Sequence, residues 1–493
     1  MRAVGSRMTR NFVVTLLLFA QHFLDVDASL PLPSFSSGWL PIRSQDENHS
    51  YIIIRHNLNE LPIFVQVLVR AVDGAHDGFI FSGVGSAQRG DSSSNPYGGV
   101  VYTYNDNLVR VMAPQQADGY ASGCLVYTGG SHWGSPHQQC SHDGKVKVDV
   151  WKRDNFPSPA FISGWFPFSS HKEGESFKEI NHNLGQKPSM VRVQYQDIDP
   201  IPSNLEFTSD GFGSALCDDD KVYKEYGGIV FAYDETAVRL WAPTVVNTKS
   251  YGGHLFFAGN GWANGVNNTA FDDGIVRVIV WGNSFPYPDF ETEGNTRMGA
   301  AGGYPTYQTF AVPPGLSSAV LHVEVRAMTG VNQLFTFEGM GVQQLCIGDY
   351  INAGGVLYAY TNNVVRLWTP STGHVLDLSD GWGWQTGQQY SDYVTVTVRA
   401  YSIGVEDTQF DSPTQEGVNG NNATDGHLNT DIHGTESQAG STRSHPFSNL
   451  LEQSTYSPEN LKLATKTSIS TSMPPLFQGN YANCSKQFLM KWK

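Results

Sequence analysis

The sequence lacks the features on which several large classes of protein depend. It holds 31 Lys and Arg residues against 46 Asp and Glu, for a formal net charge of −15, and has no basic stripe that could follow a nucleic-acid backbone. Its five cysteines are too few to hold small domains together, so apolar burial must do so. No apolar run reaches the ~20 residues that span a bilayer. We therefore expect neither a nucleic-acid partner nor a membrane-spanning segment.

Catalytic signatures are absent as well. The chain has no G-x-S-x-G nucleophile turn, no H-E-x-x-H zinc motif, no P-loop and no EF-hand loop. We therefore predict a protein that is not an enzyme and that uses no cofactor; we assign no metal ligands, and calcium binding stays open. Two groups of side chains come nearest to a metal site, but the first is better explained as a disulfide in a His-containing loop, and the second lacks the alternating spacing of a calcium loop. These groups are His132, His137, Cys140 and His142 with Cys124, and Asp218 to Asp220 with Asp272 and Asp273.

Residues 1–28 have the layout of a secretory signal peptide. Three arginines precede the apolar run Phe12 to Ala20, and a small-residue site predicts cleavage after Ala28. An uncleaved signal anchor is the alternative. We expect a secreted, extracellular protein that is not inserted in a membrane after cleavage. Four glycosylation sequons suit that route, at Asn48, Asn267, Asn422 and Asn483.

One hairpin pattern occurs three times along the chain. It reads YGGIVFAYDETAVRLWAP from Tyr226 to Pro243, YGGVVYTYNDNLVRVMAP from Tyr97 to Pro114, and AGGVLYAYTNNVVRLWTP from Ala353 to Pro370. The β-branched and aromatic residues on both sides of a polar turn are typical of paired strands. The spacing of about 128 residues between copies is far longer than a solenoid repeat, so each copy belongs to a whole domain.

The motifs around the hairpins set the expected domain limits. Turn signals recur every 8 to 12 residues without helical periodicity, which indicates antiparallel sandwiches, each with its own core. The predicted fold class is all-β, with three tandem β-sandwich modules and a disordered Ser/Thr/Asn-rich tail too poor in large apolar residues to fold. The modules are 37–152, 163–282 and the diverged copy 303–402, and the tail is 403–493.

The second strand of each hairpin carries an arginine next to a large, soft side chain. Arg239 and Trp241 share one face of the strand, opposite Val238 and Leu240. An even number of residues in the turn would place Arg239 outward, where it could stack on or hydrogen-bond a sugar or a carboxylate with Trp241. An odd number would reverse the two faces. In the alternative, the arginine joins neighbouring strands through a carboxylate while its stem covers apolar surface. The same alternatives hold for Arg110 and Arg366.

Gly-rich turns at one end of each module carry tryptophans. These are Trp133, Trp262, and Trp382 with Trp384. Exposed aromatic side chains on the loops of a rigid sandwich are typical of a binding site. Alternatively, each indole folds back and closes the open end of its core.

Two further features belong to the first module. Arg89-Gly90-Asp91 lies in a Ser/Asn-rich loop and is a candidate for an integrin-type receptor. Cys124 and Cys140 flank one loop and form the expected disulfide. The pairing of Cys217, Cys346 and Cys484 stays open, including a link to another chain.

The order of motifs from residue 37 to 402 carries a resemblance. SGWFP, HNLGxxP before a V-x-V strand, YGGxxFxY, VRLWAP, GxGW and VRVxVW together resemble tandem secreted modules of uncharacterised marine invertebrate proteins. The succession of strands is also similar, loosely, to the H-type lectin sandwich. That resemblance implies a trimeric fold and binding of N-acetylgalactosamine-type sugars, although none of its sugar-contacting residues match positions here.

These features together favour a secreted multi-module binding protein. It would recognise glycans or extracellular matrix, as a lectin or an adhesion protein does, and three linked copies would raise avidity. The alternative is a structural matrix or shell protein without a specific small ligand. The sequence leaves the ligand and the oligomeric state open.

Overall fold

The computed structural model describes residues 29–404, with gaps. The gaps are 47, 85–96, 116–122, 130–132, 134–135, 137–138, 171, 173, 199–206, 213–225, 245–252, 259–261, 263–268, 295, 315–318, 341–353, 379–381 and 384–389. All described residues belong to one compact unit within Met1–Phe410. Several predicted features lie outside the described residues: the signal peptide, the tail, Arg89-Gly90-Asp91, Trp384, Cys217, Cys346, Cys484, and the sequons at Asn267, Asn422 and Asn483.

The prediction of an all-β fold is confirmed. Strands of the first repeat are β1 Phe35–Ser36, β2 Leu40–Arg43, β3 Tyr51–Arg55, β4 Phe64–Ala71, β5 Ile80–Ser82, β6 Tyr97–Gly98, β7 Val101–Tyr104, β8 Leu108–Met112, β9 Gly123–Cys124, β10 Val126–Tyr127, β11 Cys140–Ser141 and β12 Asp143–Trp151. Strands of the second are β13 Phe161–Ile162, β14 Phe166–Ser169, β15 Phe177–Asn181, β16 Met190–Asp197, β17 Thr208–Asp210, β18 Tyr226–Gly227, β19 Val230–Tyr233, β20 Ala237–Trp241, β21 Gly253–His254, β22 Phe256–Ala258, β23 Thr269–Phe271 and β24 Asp273–Trp281. Strands of the third are β25 Phe290–Glu291, β26 Thr296–Met298, β27 Tyr307–Ala311, β28 Ala319–Ala327, β29 Thr336–Glu338, β30 Leu357–Tyr360, β31 Val364–Trp368, β32 Leu376–Asp377, β33 Tyr390–Ser391 and β34 Val394–Ser402.

Helical structure in the described part of the chain is limited to two short 3₁₀ turns. They are Gly74–His76 and Arg153–Asn155. Among these residues, no helix is long and apolar enough to cross a membrane.

The hairpin register follows from a side-chain hydrogen bond in the turn. Asp234 accepts hydrogen bonds at Oδ1 from the backbone N–H groups of Thr236 (2.7 Å) and Ala237 (2.8 Å), which closes the turn without a glycine. Phe231 then pairs with Leu240, and Tyr233 pairs with Val238. The even-turn register is therefore confirmed.

Each eight-stranded sheet contains strands from two repeats. The first sheet runs β1-β12-β4-β5-β30-β31-β27, with β2 added on β12, so strands of the third repeat complete the sheet of the first. The second runs β13-β24-β16-β17-β7-β8-β3, with β14 on β24, and the third runs β15-β20-β19-β29-β28-β34-β25, with β26 on β34. Repeat 1 therefore completes repeat 2, repeat 2 completes repeat 3, and repeat 3 completes repeat 1. The three repeats close into a ring with approximate threefold symmetry.

The sheets continue across the repeats at three equivalent positions. The Cα partners that join them are Tyr104 with Thr208, Tyr233 with Thr336, and Tyr360 with Ile80. At each junction a hairpin strand of one repeat meets a short strand of the next. Pairing with a neighbour covers an edge that would otherwise expose unpaired backbone groups.

The apolar cores are shared in the same way, which corrects the expectation of one separate core per module. In the largest cluster of buried side chains, Val67 and Val109 of repeat 1 belong with Trp241 of repeat 2 and Val323 of repeat 3. A smaller cluster near the axis joins all three repeats around Phe156. Both faces of each hairpin are largely buried, because one face packs against its own repeat and the other packs against a neighbouring repeat.

The His-Asn-Leu turns are the same structure in repeats 1 and 2. The His56 ring accepts at Nδ1 from the Leu58 backbone N–H (3.3 Å) and lies 3.1 Å from the Asn105 carbonyl through Nε2. The proton must therefore be on Nε2. His182 has equivalent bonds of 3.3 and 3.2 Å. Asn183, at φ 54°, occupies the left-handed region that Asn tolerates better than most residues.

Acid should weaken both turns. Burial lowers the pKa of His56 and of His182 from their ordinary value of 6.5, because the charged ring is poorly solvated there, and this outweighs the hydrogen bonds to the Asn105 and Asp234 carbonyls, which raise it. Protonation at Nδ1 would also remove the acceptor of each turn. With the folded pKa below the unfolded one, this stability is complete above about pH 6.5 and is lost as pH falls from there through the folded pKa. We expect the free energy of unfolding, measured by urea titration, to fall less between pH 7.5 and 5 in His56→Asn/His182→Asn than in the wild type. His49→Asn, at an exposed position, is the control; equal slopes in wild type and double variant would contradict the assignment.

Candidate ligand cleft at a repeat junction

Three of the predicted loop-tip tryptophans are not exposed. Trp133, Trp262 and Trp382 are each 1% exposed, which corrects the expectation of exposed aromatic tips. Each forms a β-bridge with a proline that ends a hairpin of another repeat: Trp262 with Pro114, Trp382 with Pro243, and Trp133 with Pro370. Because an indole buries more apolar surface than any other side chain, these tips hold neighbouring repeats together.

The hairpin arginines also lie at the repeat junctions. Their guanidinium carbons stand over phenylalanine rings of the next repeat: Arg110 over Phe207 at 3.6 Å, Arg239 over Phe335 at 3.8 Å, and Arg366 over Phe79 at 3.9 Å. These cation–π contacts repeat around the ring.

Arg239 and its neighbour Trp241 were the predicted ligand contacts in the hairpin. Arg239 donates from Nε to Glu179 at 2.8 Å and from Nη1 to Asn332 at 3.0 Å. Trp241 is fully buried and stacks on Phe337 at 5.9 Å between ring centroids. The packing interpretation therefore describes both side chains, and a ligand would have to displace existing partners.

The predicted disulfide is confirmed. Cys124 and Cys140 are joined, with Cα atoms 5.4 Å apart. The nearby His142 is 2.8 Å from the Ser44 hydroxyl, and no group of three or more potential metal ligands occurs within the described ranges.

Loss of this disulfide should be costly, because it closes a loop of 16 residues. The chain-entropy estimate is about 3 kcal/mol. We expect the free energy of unfolding of Cys124→Ser/Cys140→Ser, measured by chemical denaturation, to be lower than that of the wild type by this amount. Reductant should lower the stability of the wild type and leave the double variant nearly unchanged; an equal response of the two proteins would show that the bond adds nothing.

A surface cleft of about 200 Å³ lies where repeats 2 and 3 meet. One wall comes from the turn before β16, another from the linker between the repeats, and the floor from β34. The polar and aromatic residues that line it include Lys187, Ser189, Asn283, Tyr287, Glu291 and Arg399.

The floor of the cleft is fixed by ion pairs to a buried carboxylate. Glu324 has a side chain only 2% exposed and lies 2.5 Å from both Lys187 Nζ and Arg399 Nη1. The Tyr233 hydroxyl, from the hairpin of repeat 2, adds a bond of 3.3 Å. Burial alone would raise the pKa of Glu324, but the charges of Lys187, His322 and Arg399 outweigh it and hold that pKa below its usual value. The carboxylate stays ionised and orients both cations.

Arg399 connects this buried pair to the surface. Its Nε atom donates to Glu291 at 3.1 Å. Burial opposes the charge of Arg399, but Glu324 and Glu291 more than compensate, so the pKa of the guanidinium is raised. The cleft therefore presents alternating positive and negative groups held in place before any ligand arrives.

One aromatic ring stands at the lip of the cleft. Tyr287 is 91% exposed and lies between Pro286 and Pro288, which restrict the backbone on both sides. Two residues earlier, Phe285 is buried against Tyr401 at 5.0 Å and Trp281 at 6.2 Å between ring centroids. The linker is thus anchored and holds the tyrosine ring in the solvent.

No protein-family model matches the sequence, and no curated protein matches it. The cleft must therefore be judged on its own residues.

Sequence reasoning missed the cleft because its walls come from different repeats. Lys187 precedes Pro188 in an ordinary turn, and the Pro-Tyr-Pro stretch around Tyr287 falls in the linker between predicted modules. The available signal was a tyrosine between two prolines in a segment otherwise rich in small and polar residues. None of the predicted ligand contacts line this cleft.

Proposed function

We propose that the protein is a secreted binding protein that recognises glycans or extracellular matrix through the junction cleft. The observation that carries the proposal is the Tyr287 ring at the lip of a preformed polar cleft. A sugar has an apolar ring face, which packs on an aromatic side chain, and hydroxyl groups, which need donors and acceptors around its edge. Lys187 and Asn283 supply donors, while Glu291 and the Ser189 hydroxyl, whose own O–H is donated to the Gly282 carbonyl at 3.1 Å, supply acceptors.

The size of the cleft favours one residue of a chain over a larger partner surface. At about 200 Å³ it is smaller than the roughly 300–1,000 Å³ typical of small-molecule pockets. A terminal or side-branch sugar would enter, while the rest of the glycan stays outside. Affinity at one such site is expected to be weak, because little surface is buried.

The test is a glycan array and a matrix-protein binding assay with the full secreted protein. We expect a defined set of sugars to bind, and Tyr287→Ala to reduce binding at least tenfold without changing the melting temperature, because the side chain is exposed. Ile198→Ala is the matched control, since Ile198 is 51% exposed and does not line the cleft. Silence across the array and matrix panel, or equal binding by Tyr287→Ala, would rule out this cleft as the site.

Secretion, glycosylation at Asn48 and recognition of Arg89-Gly90-Asp91 by an integrin-type receptor remain predictions of the same proposal. Asn48 is exposed in the turn after β2, where a glycan would not disturb the core. Asp91→Glu is expected to abolish any integrin-dependent cell attachment and to leave sugar binding intact. Loss of both together would contradict two separate sites.

A further inference from the structure

A chamber of about 70 Å³, partly open to solvent, lies where all three repeats meet. Three equivalent strands, β4, β16 and β28, form its walls. An equivalent backbone hydrogen bond shows which residues of the three strands correspond. A glycine N–H donates to a valine carbonyl in each repeat, from Gly83 to Val67, Gly211 to Val193 and Gly339 to Val323, at 2.7–2.8 Å. One residue before each valine, the chamber is lined by Gln66, Arg192 and His322. Each repeat thus contributes one polar side chain at the same level.

These polar side chains are not satisfied by the protein. Within the described residues, Arg192 Nε, both ring nitrogens of His322, and Gln66 Oε1 have no hydrogen-bond partner. His322 is 6% exposed. Buried polar atoms in native proteins are nearly always bonded to protein, water or a ligand. The chamber therefore needs an occupant.

The charges around the chamber define which occupant fits. Glu338 also lines the chamber, with Oε1 unpartnered, and lies 3.7 Å from Arg192 Nη1 and 3.3 Å from His322 Nε2. Neither contact is a short charge-assisted bond, and an occupant must bind on the side of Arg192 that faces away from this carboxylate. Asp210 is already engaged, because it accepts from the hydroxyls of Tyr102 at 2.9 Å and Tyr104 at 2.7 Å. The Nε donor of Arg192 remains available to an acceptor.

We propose that this chamber binds a small oxyanion, held by one residue from each repeat. The guanidinium fork of Arg192 matches two oxygens of a carboxylate or of a tetrahedral oxyanion. The His322 ring donates a further N–H, and the Gln66 amide does so after a 180° turn about its terminal bond. A metal cation fits poorly, because Arg192 would repel it and the described residues hold no cluster of three metal-ligating side chains.

The volume limits the ion to a few non-hydrogen atoms. A cavity needs about 10–15 Å³ to hold one water molecule. A chamber of about 70 Å³ therefore accepts an ion of the size of acetate, sulfate or phosphate. Apolar residues such as Val65, Phe212 and Met340 complete the lining. Such walls strengthen the attraction between the ion and Arg192, because little water screens it.

The experiment measures ion binding by the full chain after exhaustive dialysis. Acetate, sulfate and phosphate are each titrated at constant ionic strength with chloride as the reference, by calorimetry and by melting temperature. We expect one of these ions to bind saturably, with one ion per chain, and to raise the melting temperature. Binding of acetate would indicate that the natural ligand is a carboxylate, and binding of sulfate or phosphate would indicate an inorganic ion. No saturable effect from any of the three ions, leaving water as the occupant, would overturn the proposal.

Three variants locate the site. Arg192→Gln and His322→Gln should each weaken the binding at least tenfold, and Arg326→Gln, at an exposed position of β28, should leave it unchanged. If Arg192→Gln fails to fold, Gln66→Leu decides, because it leaves every charge in place and should still weaken binding several-fold. Undiminished binding by Gln66→Leu and His322→Gln would place the ion elsewhere.

Discussion

Trp241→Ala is expected to lower the free energy of unfolding by about 3–5 kcal/mol, the usual range for removing a buried tryptophan. The indole is fully buried and belongs to repeat 2, yet it stacks on Phe337 of repeat 3. A Cβ added at Gly383, also of repeat 3, would lie 2.3 Å from its Cδ1 atom. The truncation therefore opens a cavity at a repeat junction, which denaturant titration of the full chain will report as lost stability.

The control for this prediction comes from the chain itself. Met112 occupies the equivalent hairpin position in repeat 1, so Trp241→Met keeps much of the apolar volume and should cost less than half as much. If Trp241 were instead a ligand contact, the alanine variant would keep its stability and lose only binding. A stable Trp241→Ala protein with impaired sugar binding would therefore refute the packing interpretation.

Asp210→Ala is the second substitution with a large expected effect, a loss of about 2–4 kcal/mol. The side chain belongs to repeat 2 and accepts hydrogen bonds from Tyr102 and Tyr104 of repeat 1. Alanine would leave the Tyr102 hydroxyl buried without a partner and would weaken the bonding of Tyr104, which retains only Gln194 at 2.7 Å. Unsatisfied buried groups cost about 1–3 kcal/mol each.

The asparagine variant separates the hydrogen bonds from the charge. Burial raises the pKa of Asp210, although Arg192 and the two tyrosines oppose the shift, so the folded pKa lies above the ordinary 3.8. For an acid raised in this way, the stability it contributes is present below the unfolded pKa and is lost as pH rises through the folded pKa. Asp210→Asn carries no charge and retains one of the two accepting oxygens, so at pH 7 it should cost less than alanine. Equal losses for Asn and Ala in denaturant titrations would show that the hydrogen bonds are unimportant.

The sharing of sheets changes how the three repeats relate to function. Three linked modules suggested three equal binding sites and a gain in avidity. Among the described residues, the cleft at the junction of repeats 2 and 3 has no chemical equal at the other junctions. Leu61 of repeat 1 stands in the position of Lys187, and Asp149 and Ile279 stand in the position of Arg399. The repeats therefore build one ring whose junctions differ chemically.

Local patterns in the sequence were sufficient for the strands, and they left the hairpin register conditional on an even number of residues in the turn. Alternating residues, the Asp234 turn and the repeated His-Asn-Leu motif act within one repeat, and the Cys124–Cys140 pair spans a short loop. Each of these depends on backbone geometry or on neighbours close along the chain. That is why they could be predicted without the rest of the molecule.

Only the tertiary structure decided which repeat each strand face meets. Trp133, Trp262 and Trp382 have the same sequence context whether they point to solvent or to a proline of another repeat, and Arg239 has the same pattern whether it meets a sugar or Phe335. The difference depends on contacts between residues about a hundred positions apart, and periodicity along one strand carries no information about them. The sequence by itself determined the strands, their turns and one disulfide. Closure of the ring determined the shared cores, the axial chamber and the cleft at Tyr287, because burial at a junction requires both surfaces to be present.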